Sequence, residues 1–199
     1  MWHDFSPQLV TNTFGFLFYE KIKNKKFLWK RTADHDEYRG RFGPLVQAAM
    51  NGDWPAAKAF LDDNPHYVRE HITKDKETAL HIAANAQHTT FVEGLLSTEL
   101  EMTQEDVAMQ TSYGFTTLHS AAHSGNVRIA EQLVIKNSEL LLIPDIYEDA
   151  PLNVAAYQGH TDMVSYLLSK TPLENLKVEK CKDLFHDTIN NDMYGKPYI

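Results

Sequence analysis

Two eight-residue segments of this 199-residue chain are almost the same: residues 77–84 read ETALHIAA and residues 115–122 read FTTLHSAA. Both keep a Thr, a Leu, a His and an Ala-Ala pair in the same places while the other letters change. Two further blocks, which start at residues 43 and 150, align with them without gaps. The leucines that anchor the four blocks follow one another after 35, 38 and 34 residues: Leu45, Leu80, Leu118 and Leu152. A period of this length indicates an array of small, similar structural units.

Each block has the pattern of two short helices joined by a turn. In its first half, Leu80, Ala83 and Ala84 recur at i, i+3 and i+4, which places them on one helical stripe. In its second half, apolar residues recur at i, i+1, i+4 and i+5, as in a second amphipathic helix. Three blocks have a glycine between the halves, which allows positive φ: Gly52, Gly125 and Gly159. The second block has Gln87 at this position. The sequence therefore predicts an all-α fold of antiparallel helix pairs.

A single pair of such short helices has too little apolar surface to be stable in water. Stacking the pairs side by side buries a continuous core along the array, which is the construction of a solenoid. The letters that stay in step are then the ones that touch the neighbouring unit. The letters that vary face water or a partner.

The repeated letters resemble the T-P-L-H-x-A-A signature of ankyrin repeats. The chain reads TALHIAA at 78–84 and TTLHSAA at 116–122, and the signature proline reappears at Pro151. The resemblance implies an ankyrin solenoid over residues 43–170, with units at about 43–76, 77–114, 115–148 and 149–182. Residues 1–42 are then a non-repetitive arm, and residues 183–199 a partial fifth unit that is either a degenerate cap or a truncated repeat.

A narrower resemblance concerns the sequence segments around the motifs. The segments HITKDKETALHIAA, VIKNSELLLIPD and LLSKTPLEN are similar to plant ankyrin-repeat proteins whose longer members end in a membrane-spanning PGG domain. In that family the array is cytosolic and binds other proteins, and the anchored members take part in stress and defence signalling. The resemblance implies the same setting for this chain.

Composition excludes several classes of function. Acidic residues outnumber basic ones by 27 to 19, a formal charge of −8, which disfavours a surface that neutralises nucleic-acid phosphates. Cys181 is the only cysteine, which together with the absence of an N-x-S/T sequon fits a cytoplasmic location. The apolar run at 5–19 is too short for a spanning helix, and a signal peptide there is the minor alternative. A basic, aromatic-rich stretch within residues 16–31 is interpreted as an exposed arm, with contact to anionic lipid as the alternative.

Ten histidines raise the question of metal or catalytic chemistry. In ankyrin repeats, the positions of His81 and His119 hold imidazoles that hydrogen-bond the backbone of the neighbouring unit, so both are expected to be structural. No Cys/His set has zinc spacing, and the chain lacks the phosphate-loop, nucleophile-elbow and zinc-peptidase motifs. Cys181 with His186 and Asp187 is interpreted as an inert thiol near polar neighbours. We expect no metal, no cofactor and no catalysis.

Recognition by the surface of the array remains, and the family geometry indicates the hairpin tips between units and the first-helix positions after Ala-Ala. Two tips lack the usual glycine and carry Lys76 and Glu148 instead, which predicts that these tips differ in shape. Packing of Phe115 and Ile146 against the adjacent hairpin is an equally weighted alternative. The predicted partner-binding residues are Lys74, Asp75, Ser112, Tyr113, Phe115, His123, Tyr147 and Tyr157.

The sequence thus favours a non-catalytic protein-binding scaffold with an unidentified protein partner. The alternative is a cytosolic fragment of a membrane-anchored ankyrin protein, whose array docks on its own missing domain or on sister chains. An acidic segment between Leu96 and Leu118 adds negative charge to one edge, which either steers a basic partner or is simply a solvated loop.

Overall fold

The computed structural model of the chain describes residues 36–97 and 100–191. The described residues form helices and loops, and no helix among them is long and apolar enough to span a bilayer. The α-helices are α1 (Asp36–Asn51), α2 (Trp54–Asp63), α3 (Ala79–Asn85), α4 (Thr89–Leu95), α5 (Gln104–Val107), α6 (Thr117–Ser124), α7 (Val127–Lys136), α8 (Pro151–Tyr157), α9 (Thr161–Lys170) and α10 (Val178–Asn190). Short 3-10 turns cover Pro65–Arg69, Ser138–Leu141 and Leu173–Asn175.

The chain divides into two compact parts between Gly43 and Pro44. In the first part, the described residues are the beginning of helix α1, which starts at Asp36, seven residues before the predicted first block. The second part, residues 44–199, contains the stacked helix pairs, each of which we call a unit. The proposed boundary between the arm and the repeats at residue 42 stays a prediction, and the basic stretch at 16–31 lies outside the described residues.

The anchoring leucines of the four blocks are all buried, with at most 1% of each side chain exposed. Ala83, Ala84, Ala121 and Ala122 are fully buried beside them. Because alanine projects only a methyl group, the neighbouring first helices α3, α6 and α8 approach one another closely. The all-α fold of stacked antiparallel helix pairs is confirmed.

Two buried histidines each join the first helix of one unit to the hairpin that follows that unit. In the second unit, Nδ1 of His81 accepts hydrogen bonds from the backbone amide and the hydroxyl of Thr78, at 3.3 and 2.9 Å, and so caps helix α3. Its Nε2 donates to the carbonyl of Phe115 in the next hairpin at 3.0 Å. Because a carbonyl only accepts, these partners fix the neutral tautomer with the proton on Nε2.

His119 repeats this arrangement one unit later, with Thr116 as the cap and the carbonyl of Asp149 at 3.0 Å from Nε2. The predicted structural role of both histidines is confirmed. Burial lowers the pKa of His81 and of His119 to about 4, since the charged imidazolium would lose its hydration.

Asn153 takes the histidine position in the fourth unit. Its Nδ2 donates to the carbonyl of Lys180 at 2.9 Å, so the forward link to the next unit is kept. The residue at the helix cap is Ala150, which has no side-chain acceptor, and the Oδ1 of Asn153 is buried without a hydrogen-bond partner among the described residues. The amide thus replaces only the donor half of the imidazole.

A second set of bonds runs backwards from the turn between the two helices of each unit. His88 reaches the carbonyl of Met50 at 3.0 Å, and His160 reaches that of His123 at 2.9 Å. A Cβ on Gly52 would lie 2.6 Å from the ring of His88, so glycine leaves the space that the ring occupies.

The third unit has Asn126 in place of this histidine, and its shorter side chain bonds the carbonyl of Gln87 at 3.4 Å and the hydroxyl of Thr89 at 3.1 Å. Without a ring to accommodate, the preceding turn tolerates a side chain. This explains why Gln87, at φ 64°, replaces the glycine there.

Helix α10 packs on α8 in the place where a further first helix would lie, and the fifth unit at 183–199 stays a prediction. Asn191, just after α10, donates to the carbonyl of Ala156 at 2.8 Å, in the manner of His88 and His160. No side chain described on α10 is fully buried, and Leu184 is half-buried, unlike the leucines before it. The predicted interruption of this unit at 195–197 lies outside the described residues.

The acidic segment between the second and third units is a folded insert. Arg69 donates to Asp106 at 3.0 Å and to the carbonyls of Leu100 and Glu101 at 3.2 and 3.0 Å. Asp106 also accepts from the amide of Thr103, which caps the short helix α5. Asp106 is thus paired within the insert, whereas Glu101 and Glu105 are exposed, and the steering of a basic partner by this segment stays a prediction.

Three hairpins, which we call finger 1 (residues 73–77), finger 2 (111–115) and finger 3 (145–149), connect successive units and make the same turn. In each, the fourth residue has positive φ, 59°, 77° and 64° for Lys76, Gly114 and Glu148, and its amide bonds the carbonyl of the first residue. The side-chain oxygen of the first residue also accepts from the fifth amide: Thr73 from Glu77, Thr111 from Phe115 and Asp145 from Asp149. The prediction that fingers 1 and 3 differ in shape is wrong.

Replacing Lys76 with glycine should raise the free energy of unfolding by about 0.5–1 kcal/mol, because glycine adopts positive φ without steric cost. Gly114→Ala should instead lower it by about 1 kcal/mol or more, since a Cβ at 114 would lie 2.9 Å from the backbone of Asp145. Urea unfolding followed by circular dichroism measures both. A loss of stability in Lys76→Gly would contradict the assigned turn.

Lowering the pH from 6.5 to 4.5 should destabilise the fold through His81 and His119. A depressed histidine pKa contributes stability that is present above the unfolded value of about 6.5 and is lost as the pH falls towards the folded value near 4, roughly 3 kcal/mol per histidine at full extent. The pKa of Asp145 is raised to about 6 by burial, so this carboxyl has the opposite effect, and the two histidines outweigh it.

The histidine variants separate these contributions. His81→Asn, which copies the side chain that Asn153 supplies in the fourth unit, should show a smaller loss of unfolding free energy over this pH range than the wild type, whereas the exposed His66→Asn should keep the wild-type slope. Urea titrations at several pH values give the slopes. Equal slopes in all three proteins would rule out His81 as a source of the acid sensitivity.

Candidate functional site

The tips of the three fingers are joined in one row by backbone hydrogen bonds. The amide of Ser112 in finger 2 donates to the carbonyl of Asp75 in finger 1 at 2.8 Å, and the amide of Ile146 in finger 3 donates to the carbonyl of Tyr113 at 3.1 Å. The backbone of finger 3 approaches Gly114 so closely that a Cβ there would be 2.9 Å from the amide nitrogen of Ile146. The fingers therefore form a continuous ribbon along one edge of the array. We call the outward-facing side chains of fingers 1, 2 and 3 the tip row.

Two of the largest exposed apolar side chains stand next to each other on finger 3. Ile146 is 57% exposed and Tyr147 is 43% exposed. The alternative that Ile146 packs against the adjacent hairpin is wrong, since most of its side chain lies in water. Tyrosine is enriched in binding hot spots, and here it lies beside an exposed aliphatic residue on a backbone fixed by hydrogen bonds.

The other predicted tip residues are distributed along the same row. Lys74 and Ser112 are exposed, and Asp75 and Tyr113 are half-buried. The ring of Tyr113 lies 6.4 Å from that of Phe115, centroid to centroid, so one side of Tyr113 rests on the finger itself. Lys76, which the sequence analysis treated only as a departure from the glycine pattern, is exposed on the tip of finger 1.

Phe115 is not available to a partner, which corrects its assignment to the binding surface. Only 8% of the residue is exposed, and its ring stacks on His119 with centroids 5.6 Å apart. Its carbonyl accepts the hydrogen bond from His81. The alternative, packing of Phe115 inside the array, is the one that the structure shows.

His123 is likewise buried, with 7% of the residue exposed. Its Nδ1 is bonded to the side-chain oxygen of Asn85 in the preceding unit at 2.9 Å, and its carbonyl accepts from His160. The neighbouring Ser124 donates to the carbonyl of Ala84 at 3.0 Å. The first-helix positions after Ala-Ala therefore link successive units, and the prediction that His123 presents its side chain to a partner is wrong.

Tyr157 is half-buried beside the last helix. Burial raises the pKa of its phenol, and the negative charge of Asp187 on α10 adds to that rise. The row of finger bonds joins Tyr113 to finger 3 and does not include Tyr157. The assignment of Tyr157 to the partner-binding residues stays a prediction.

The base of finger 3 holds two carboxyl groups whose pKa burial raises, those of Asp145 and Asp149, and neither was among the residues predicted from the sequence. Asp145 is buried, and its carboxylate accepts from the amides of Tyr147 and Asp149 at 2.7 and 2.9 Å, which holds the turn under Tyr147. Lys180 on α10 pairs with Asp149 at 2.8 Å. The role of Asp145 could have been found from its position in the repeat, because it matches Thr73 and Thr111 at the start of the other fingers.

The described residues bring together no three His, Cys, Asp or Glu side chains in an arrangement that could hold a metal ion. On α10, His186 and Asp187 are 3.5 Å apart, and Cys181 is half-buried one and a half turns away. The chemistry that the tip row offers is contact: apolar surface at finger 3, hydroxyl groups at finger 2 and ammonium groups at finger 1.

Comparisons with known proteins give distant relatives that match through part of their length. The chain is 27% identical over 125 residues to a probable E3 ubiquitin-protein ligase, XBOS32, of Oryza sativa, covering 63% of this chain and 24% of that protein. It is 30% identical over 135 residues to a second such rice protein, XBOS31, covering 68% and 28%. A transient receptor potential channel A1 homologue of Caenorhabditis elegans is 27% identical over 150 residues, covering 74% and 12%. The chain thus spans about a quarter or less of most of these relatives.

Family models match the repeats directly. The model for ankyrin repeats in three copies matches residues 45–142, and the single ankyrin-repeat model matches residues 147–176. The two matches cover the stacked pairs from residue 45 in α1 to α9, and they include fingers 1 and 2 and residues 147–149 of finger 3. Together with the buried leucines, the histidine links and the fingers of constant shape, they show that this chain belongs to the ankyrin-repeat family.

Proposed function

We propose that this chain is a non-catalytic scaffold that binds a protein partner through the tip row. Ankyrin repeats are in general protein-interaction modules, and the matches to this family support that class of function. The observation that supports the tip row as the contact surface is the exposure of Ile146 and Tyr147 on a backbone held by finger 2 and by the turn bonds of Asp145. Lys74, Ser112 and Tyr113 extend the surface along fingers 1 and 2.

Rigidity is the physical advantage of such a surface. The tips are tied to one another through backbone bonds, and His81 and His119 tie fingers 2 and 3 to the first helices of the units before them. A partner therefore does not have to order these loops when it binds, which removes part of the entropic cost of association. Tyrosine adds a large contact area with few rotatable bonds.

A role in plant stress or defence signalling is part of the proposal. It is supported by the resemblance of the repeats to plant ankyrin proteins and by the relatives from rice and Arabidopsis. Those relatives are named E3 ubiquitin-protein ligases, but the identity is low and the chain covers about a quarter of their length. We propose a recognition role in a cytoplasmic setting and no transfer of their catalytic activity.

The second candidate is docking of the array on sister chains or on a further domain of its own protein. The observation that favours it lies on helix α10, where Val178 is 65% exposed and Ile189 is 50% exposed on the same face. In the preceding units, each first helix is packed against its own second helix, as α8 is against α9. An apolar face on the last helix of the described residues is a natural place for such docking.

The double variant Ile146→Ala, Tyr147→Ala should reduce capture of protein partners from a cell extract by roughly tenfold or more, since hot-spot truncations cost about 2 kcal/mol or more. Quantitative mass spectrometry of affinity-purified samples measures the loss. Ile135→Ala is the matched control, because Ile135 is 85% exposed and belongs to the second helix α7 and not to a finger. A loss as large in the control, or none in the double variant, would refute the tip row.

Sedimentation velocity over a range of concentrations distinguishes the second candidate. If the chain docks on its copies through α10, the wild type should form oligomers as concentration rises, and Val178→Ser with Ile189→Ser should restore the monomer. Both side chains are exposed, so the fold should survive the change. A wild type that remains monomeric at all concentrations would exclude self-docking.

A further inference from the structure

We infer that the segment recognised by the tip row combines an apolar anchor with a carboxylate roughly six residues away: the anchor lies on Ile146 and Tyr147, and the carboxylate lies at Lys74 and Lys76. This inference deepens the proposed function and rests on it. It depends on three features of the row, namely the cations at one end, the neutralised carboxylates at the other and the distance between the ends.

Finger 1 presents its positive charges outward and keeps its negative charges closer to the protein. Lys74 and Lys76 are exposed, and among the described residues neither forms an ion pair. The alternate residues Asp75 and Glu77 are half-buried, and the carboxylate of Glu77 accepts a hydrogen bond from the hydroxyl of Thr73 at 3.1 Å. The tip of finger 1 is therefore a pair of ammonium groups on alternate positions of a fixed turn.

Finger 3 has the opposite balance, because two of its carboxylates are paired with lysines and the third, on Asp145, is buried and accepts from two backbone amides. Glu148 pairs with Lys177 at 2.5 Å, and Asp149 pairs with Lys180 at 2.8 Å. What finger 3 offers outward without a paired charge is the apolar surface of Ile146 and Tyr147. The row thus changes from exposed ammonium groups at finger 1 to exposed apolar surface at finger 3, with the polar Ser112 between them.

The spacing follows from the packing of the units. Helices in contact lie about 8–10 Å apart, and two such steps separate finger 1 from finger 3, or about 16–20 Å. An extended chain advances about 3.3 Å per residue, so this distance corresponds to roughly five or six residues. A segment of about eight residues can therefore reach both ends of the row.

The net charge of the chain limits how acidic the partner can be. The formal charge of −8 repels anions at long range, but exposed charges are screened beyond about 8 Å at physiological ionic strength. One or two carboxylates placed at the lysines gain more from the local contact than they lose to the distant acidic residues. A strongly acidic segment would not gain in this way, so the partner chemistry is an apolar residue with one or two carboxylates, and not a polyanion.

The test uses phage-displayed random 16-residue peptides as the probe, selected on the full chain, followed by measurement of Kd for the selected peptides made synthetically. The expected peptides carry an aromatic or aliphatic residue separated from Asp or Glu by about six positions. Lys74→Glu with Lys76→Glu should weaken their binding roughly 3- to 10-fold, the magnitude of two exposed ion pairs, and this effect should shrink at high salt. Lys170→Glu, an exposed lysine on helix α9, is the matched charge control and should leave Kd unchanged.

The variants of the two ends separate this inference from the proposed function. If Ile146→Ala with Tyr147→Ala abolishes peptide binding but the lysine reversals do not weaken it, the tip row is the site and the acidic preference is wrong. If neither pair of variants affects the selected peptides, the tip row itself is wrong. A selection that yields no peptide dependent on both ends overturns the inference as well.

Discussion

The hydrogen bonds of two buried, neutral imidazoles are the interaction on which the array depends. His81 and His119 each cap their own helix with Nδ1 and hold the carbonyl of the next finger with Nε2. A lysine or arginine could not do this, because it has no acceptor, and a serine could not reach both partners. One side chain therefore fixes the start of a helix and the position of the following finger at the same time. The price is acid sensitivity, since a protonated ring has no acceptor for the cap.

The bonds that run backwards between units show how substitutions at two places become linked. A histidine at the second-helix cap requires glycine in the preceding turn, as at Gly52 and His88, because the ring occupies the space of the missing side chain. Asn126 relaxes that requirement, and Gln87 uses the freedom to bond the carbonyl of Ser124 at 2.8 Å. The residues that vary between repeats are thus matched in pairs across neighbouring units, so they are constrained as the repeated residues are.

Periodicity sufficed to predict the helix pairs, the buried leucines and alanines, and the role of the two histidines, because these features recur with the unit. It could not distinguish inward from outward side chains where a finger meets its neighbour. Phe115 and Ile146 are both apolar and lie on adjacent fingers. Phe115 is buried because its ring stacks on His119, whereas Ile146 is exposed to water. His123 was misjudged because its partner, Asn85, lies 38 residues away. The turns at Lys76 and Glu148 were misjudged because hydrogen bonds to the finger's first residue hold positive φ without glycine.

Amide hydrogen exchange at the finger tips tests the central claim most directly, namely that the fingers form one rigid row. The amides of Ser112 and Ile146 lie at the exposed edge of the array, and the account predicts that they exchange slowly because each donates to the neighbouring finger. Residue-resolved exchange by NMR gives the rates. If both amides exchange as fast as those of an unstructured loop, the fingers move independently and the row does not exist as a surface.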